Sequence, residues 1–284
     1  MKKLYDILQI SGIEYARALP LYACTVKKQY LLERLPFTAK TALMGLIPYY
    51  PEEYDAAEKK TVSVYAAAKD YHLFVKRLQE NAAPEIEKAY PGFHFAFFTD
   101  RSPIDERDAA ARAGLGIIGR NGLLINEKHS SFVFIFEIIT DLETDFCGAE
   151  PEYCENCGLC GKACPAGGDM TLCLSSLTQK KGALTGDEQQ QILKSGCAWG
   201  CDLCQEVCPH TKKAREAGTL YTDIPFFREN LIFTPDKDSI SDEKDFGERA
   251  YSWRGADTIL RNIKLLDNHG NHNKTIDMKG GNRE

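Results

Sequence analysis

The side chains of this chain best suited to chemistry are its cysteines. There are eleven in 284 residues, and all but Cys24 and Cys147 lie between positions 154 and 208. The run Cys154-x2-Cys157-x2-Cys160-x3-Cys164-Pro165 has the spacing in which three thiolates wrap one 4Fe-4S cubane and the fourth reaches across to a second. A second run, Cys201-x2-Cys204-x3-Cys208-Pro209, ends in the same Cys-Pro pair, so its last thiolate is expected to return to the first cubane. Two such endings imply two 4Fe-4S clusters. Cys154, Cys157, Cys160 and Cys208 are assigned to one, and Cys164, Cys201 and Cys204 to the other. The second set lacks a ligand, and local spacing leaves both Cys173 and Cys197 open. Structural zinc is the competing use of paired cysteines, but zinc sites seldom adopt this run and no histidine lies within it.

Such clusters need a folded support and a reducing compartment. With 43% hydrophobic and 27% charged residues, the chain can build one large domain or two smaller ones. It contains no run of about 18 apolar residues, and Asp6 interrupts the start before a signal-like segment forms. The expectation is a cytoplasmic protein with no membrane association, whose cysteines are metal ligands or redox centres rather than disulfides. A net charge of −6 argues against nucleic-acid binding through a global basic field. Lys180, Lys181, Lys212, Lys213 and Arg215 flank the cysteine block; they read first as solvated surface charge and second as local contacts to phosphates.

The elements expected to position this chemistry are those of an α+β protein. Residues 1–145 read as an α/β domain, 146–233 as the cysteine-rich domain, and 234–284 as a short helical segment with an unstructured tail from Asp267. Phe93–Phe98 and Phe132–Ile139 are nearly continuous apolar runs, as in strands buried on both faces. Tyr71, Phe74, Val75 and Leu78 recur at helical spacing and predict an amphipathic helix over 70–82. Farther on, Ser102 is the expected cap of a second helix, with Pro103 at its first position, acidic Asp105 and Glu106 in its first turn and Gly114 at its end. Asp100 then falls between a strand end and a helix start, where open sheets often carry functional side chains. Gly114-x-Gly116-x2-Gly119 has dinucleotide-loop spacing but closes a helix instead of opening one, which argues against that use.

With those residues in place, the sequence resembles the epoxyqueuosine reductase family, cobalamin-dependent iron–sulfur enzymes that complete queuosine in tRNA. The likeness covers about residues 65–209. It is carried in order by Tyr65–His72, Thr99-Asp100-Arg101-Ser102-Pro103, Ala111–Asn121, Phe136-Glu137-Ile138-Ile139-Thr140 and the two cysteine runs. The resemblance implies a nitroreductase-like domain binding base-off cobalamin, followed by a ferredoxin-like double-cluster domain that re-reduces it to cob(I)alamin. It also implies that Cys173, within Cys173–Thr178, is the eighth cluster ligand. Asp100, in an Asp-x-x-Pro motif, becomes the proton donor above the corrin, and Ser175 and Asp202 match positions near the cofactor. Removal of an epoxide oxygen leaves an alkoxide that departs only when protonated, a task suited to a carboxyl group of raised pKa. The implied partners are the anticodon region of a tRNA and an external donor such as a flavodoxin or ferredoxin, acting on a monomer. Two other functions share these features: a cobalamin-dependent reductase of another substrate, like the reductive dehalogenases, and a double-cluster electron carrier in which Asp100 is dispensable. Cys24, Cys147 and the unused member of the Cys173/Cys197 pair are left as thiols.

Overall fold

The computed structural model of the chain describes residues 1–280. The fold is mixed α+β, and its contacts divide it into two units, neither of them one continuous stretch. The first comprises Met1–Tyr50, Tyr71–Gly158 and Val207–Ile224; the second comprises Pro51–Asp70, Leu159–Glu206 and the segment from Pro225 onward.

The first unit is organised on a four-stranded sheet of β1 (Tyr15–Pro20), β2 (Thr41–Pro48), β3 (Phe95–Phe98) and β6 (Val133–Thr140), in the order β1-β2-β6-β3. All three pairings are antiparallel. Every residue of β2 is buried, so both faces of the sheet are covered at its centre. On one face, Ala42, Met44 and Leu46 pack against Ala109, Ala110 and Ala111 of the Glu106–Arg112 helix, whose alanines let it lie close to the sheet. Gly45 has a steric cause: it is paired with Phe136, whose ring would stand 2.2 Å from a Cβ at that position. A two-stranded ribbon, β4 (Ile117–Ile118) with β5 (Leu124–Ile125), follows the helix.

Three local expectations are corrected here. The Phe93 run supplies only Phe95–Phe98, and this strand is half-buried throughout because it is the sheet's edge. The helix cap is Asp105, which accepts from the Asp108 N–H at 3.3 Å; Ser102 instead turns its hydroxyl onto Ile104 within the preceding loop. The amphipathic helix spans Tyr71–Ala89 and runs through Pro84, with Val75, Leu78, Ala82 and Ile86 on its buried face.

In the second unit the regular elements of the described residues are helices. A short helix, Val64–Ala67, is tied down by the buried Arg249. That guanidinium donates to the carbonyls of Ala67 and Asn230 at 3.2 and 2.7 Å and pairs with Asp245 at 2.7 Å. The last helix is Ala256–Gly280, in which Asn262 donates to the Thr178 and Ala198 carbonyls at 2.8 Å. It continues past Asp267, where an unstructured tail was expected from the sequence. The end of the expected tail, residues 281–284, lies outside the described residues.

Candidate functional site

Asp100 stands two residues beyond β3, with a backbone φ of 57°. Left-handed conformation at a non-glycine residue costs on the order of 1 kcal/mol and persists only where neighbours enforce it. Here they do. The Thr99 hydroxyl donates to the Ile135 carbonyl at 3.0 Å, and the Asp100 N–H donates to Glu106 Oε1 at 3.0 Å. The carboxylate points outward, with its side chain 63% exposed; it accepts a short hydrogen bond from the Tyr71 hydroxyl and lies 3.7 Å from His72 Nε2. Tyr71 is fixed in turn by stacking on Phe134, with ring centroids 4.0 Å apart. The arrangement presents a carboxylate at a sheet edge on a phenol-braced loop. It fits a group that exchanges a proton with a ligand lying over the edge.

Two carboxyls whose proton affinity burial raises are Glu106 and Glu137. Glu106 is half-buried, and Glu137, on β6, is fully buried with neither oxygen accepting a hydrogen bond. Burial, reinforced by Asp100, pushes Glu106 up to about 7. Burial, reinforced by Glu106, pushes Glu137 up to about 9. In the sequence Glu137 stands within the Phe136–Thr140 motif. Its signal is a single acid inside the apolar run Phe132–Thr140.

The glycine segment approaches its own chain. A Cβ on Gly116 would meet the Ile125 carbonyl oxygen at 2.5 Å, and one on Gly119 the Asn121 side chain at 2.4 Å, so both glycines serve the closure of the β4–β5 ribbon.

None of the eleven cysteines is in a disulfide. In the first unit, Cys208 caps the Pro209–Glu216 helix, which explains the Cys-Pro pair, because proline is preorganised for the first helical position. Burial raises the Cys208 thiol, and the neighbouring Cys157 and Cys154 sulfurs add to the shift. The Arg120 N–H donates to Cys154 Sγ at 3.3 Å. In the second unit, Cys160 lies on the Leu159–Ala163 helix, whose last turn is followed by Cys164. Cys173 caps Leu174–Thr178, and Cys204 lies on Leu203–Glu206. Burial raises the Cys201 thiol, with Asp202, Cys173 and Cys164 as further contributors, so Cys164 and Cys173 lie near enough to influence it. Cys197 is turned elsewhere. Its Sγ donates to the Trp199 and Gly200 carbonyls at 3.3 Å each, and burial pushes it up to about 12. Among the described residues no three metal-binding side chains converge on a single ion position. A cubane does not require that, since its four thiolates bind four different irons. The donor set therefore fits iron–sulfur clusters.

Ser175 is half-buried, with its hydroxyl accepting from Gln179 Nε2 at 3.4 Å. Asp202 is committed inside its own unit: one oxygen accepts from Ser63 Oγ at 2.5 Å and Gln205 Nε2 at 3.1 Å, the other from the Val64 N–H at 2.8 Å. Asp202 thus braces the 201–206 segment, whereas the Asp100 carboxylate stays exposed. Of the five basic residues, Lys180 pairs with Glu188 at 2.6 Å, Lys212 with Glu216 at 3.8 Å, and Arg215 donates to Tyr50 at 3.0 Å, while Lys181 and Lys213 are exposed.

Comparison with known proteins places this geometry. A family model described as epoxyqueuosine reductase QueG, DUF1730, matches residues 32–101. An epoxyqueuosine reductase of Leadbetterella byssophila is 34% identical over 212 residues, covering 72% of this chain and 68% of its own length. That of Lactococcus garvieae is 30% identical over 229 residues, covering 75% and 65%. The chain thus spans about two thirds of these relatives. Among solved structures, epoxyqueuosine reductase from Streptococcus thermophilus superposes with a TM-score of 0.75 at 23% identity, covering 93% of this chain and 80% of that one. A crystal structure of an epoxyqueuosine reductase with an epoxyqueuosine-modified tRNA-Tyr stem loop gives the same TM-score at 22% identity and the same coverage. No helix among the described residues is long and apolar enough to cross a membrane.

Proposed function

This chain belongs to the epoxyqueuosine reductase family, and from that premise we propose that it reduces epoxyqueuosine to queuosine in tRNA. The observation that carries the reading is Asp100: an outward-facing carboxylate, braced by Tyr71 on a left-handed turn, within the Asp-x-x-Pro motif. Removing the epoxide oxygen takes two electrons and two protons and releases water. In this reading cobalamin and the two 4Fe-4S clusters, when bound, supply the electrons. Asp100 holds the proton that the leaving oxygen needs, Tyr71 orients its carboxyl group, and the Glu106 contact fixes the loop that bears it.

The cluster ligands are Cys154, Cys157, Cys160 and Cys208 for one cubane and Cys164, Cys173, Cys201 and Cys204 for the other. Spacing supports the first set, and the mutual influence of Cys164, Cys173 and Cys201 supports the second. Ser175 and Asp202 complete the cofactor's surroundings, the first by its hydroxyl and the second by bracing the cysteine segment. The antiparallel sheet belongs to a nitroreductase-like, cobalamin-binding domain, and the cysteine runs between Cys154 and Cys208 belong to a ferredoxin-like part. The partners in this reading are the anticodon region of a tRNA and a flavodoxin or ferredoxin donor, with the chain acting as a cytoplasmic monomer.

The test is Asp100→Ala. Loss of a positioned general acid lowers the rate by about 10²–10⁴-fold. The variant is expected to keep its iron and lose turnover of epoxyqueuosine tRNA by that factor. Turnover at the wild-type rate would remove Asp100 from the chemistry.

A further inference from the structure

Glu137 presents a problem that the reaction scheme leaves unanswered. It is a fully buried carboxyl group in the middle of the central sheet, and neither of its oxygens has a donor to accept from. A buried ionised carboxylate without partners is strongly disfavoured, and the group then keeps its proton. Its polar neighbours are the Ser102 hydroxyl and the carboxyl group of Glu106. The Ser102 hydroxyl is already directed at the Ile104 carbonyl. The remaining acceptor for a proton on Glu137 is Glu106, whose Oε1 accepts the Asp100 N–H at 3.0 Å. Glu137 on β6 thus neighbours Glu106 in the first turn of the Glu106–Arg112 helix, and Glu106 is hydrogen-bonded to the left-handed residue that carries the proposed proton donor.

We infer that Glu106 and Glu137 are positioning residues: they share one buried proton, and this hydrogen-bonded pair holds the Asp100 loop in its working conformation. The inference rests on the proposed role of Asp100 and adds to it a device that sets when the loop is held. Glu137 donates its proton to Glu106. Glu106, when ionised, is the stronger, charge-assisted acceptor for the Asp100 N–H. Asp100, Lys28 and Glu137 face Glu106, while Glu106, Lys28, Ser102 and Cys24 face Glu137. Asp100 opposes ionisation of Glu106, while Lys28 and the Glu137 hydrogen bond favour it. Ionisation of Glu106 therefore tightens the loop as pH rises. Removing the Glu137 donor moves that titration upward.

The experiment measures amide hydrogen exchange over residues 99–103 in the whole protein as isolated, corrected for intrinsic exchange, alongside kcat and KM for an epoxyqueuosine stem loop across pH. Glu106→Ala is expected to speed exchange at Asp100 about tenfold, the worth of a hydrogen bond to a charged acceptor, and to lower kcat by about as much at unchanged KM. Glu106→Gln keeps an acceptor oxygen; it should restore protection but abolish the pH-dependent step. Glu137→Met should shift that step to higher pH, and Glu137→Gln, which still donates, should return it. Unaltered exchange in Glu106→Ala, or an unshifted step in Glu137→Met, would overturn the inference. The exchange readout does not depend on turnover. A loosened loop in a wild-type-inactive protein would sink the reductase reading and leave this one standing.

Discussion

Cys173 and Cys197 differ in what their sulfurs touch, and that difference is testable residue by residue. Cys197 donates to two backbone carbonyls inside its unit, whereas Cys173, like Cys164, acts electrostatically on Cys201. Cys173→Ser is therefore predicted to lose up to about four irons per chain, one cubane's worth, while Cys197→Ser keeps them all. Anaerobic iron and acid-labile sulfide analysis decides between them, and equal losses would reopen the assignment. The sequence left this pair open by spacing and ranked it only through resemblance, because a lone ligand has no local repeat to mark it. Glu137 makes a prediction of a different kind. Burial raises its proton affinity in the folded state above that of an unfolded glutamate, and Glu106 is raised likewise. The folded state then binds more protons than the unfolded one between the ordinary carboxylate range and about pH 9, so stability falls as pH rises across that window. Glu137→Gln should flatten the slope; urea midpoints at pH 5 and pH 9 that fall as far as in wild type would contradict it.

At the level of elements, the Gly45–Phe136 pair is the tightest point of the sheet. A Cβ there collides with a buried ring held by β2 and β6, and overpacking of this kind costs about 1–3 kcal/mol. Gly45→Ala should lower the denaturation midpoint accordingly, and an unchanged midpoint would show that the ring yields. The helix over Tyr71–Ala89 was legible because its apolar residues repeat at the helical period. The edge position of β3 was not, because an apolar run carries no record of how many strands flank it. Ser102 misled for a related reason: a capping residue type followed by proline matches a helix start, but tertiary contacts turned its hydroxyl onto Ile104 and passed the cap to Asp105. Asp100 nonetheless falls between strand and helix as its local sequence suggested.

Across the whole molecule, sequence order and spatial order diverge. The segment Pro51–Asp70 joins the cysteine-bearing unit and Val207–Ile224 joins the sheet unit, an exchange that division into consecutive stretches does not contain. The cluster runs were readable because thiolate spacing is local, and Asp100 through its motif. The carboxyl pair behind it depends on contacts between β6 and a helix well separated in sequence. The central claim is that this chain, about two thirds the length of the relatives it matches, performs their reaction. The most direct measurement incubates the anaerobically reconstituted chain, loaded with cobalamin and about eight irons, with an epoxyqueuosine stem loop and a strong reductant, and follows the nucleoside by mass spectrometry. The account predicts loss of one oxygen to give queuosine, dependent on added cobalamin. A fully loaded chain that leaves the epoxide intact would contradict it.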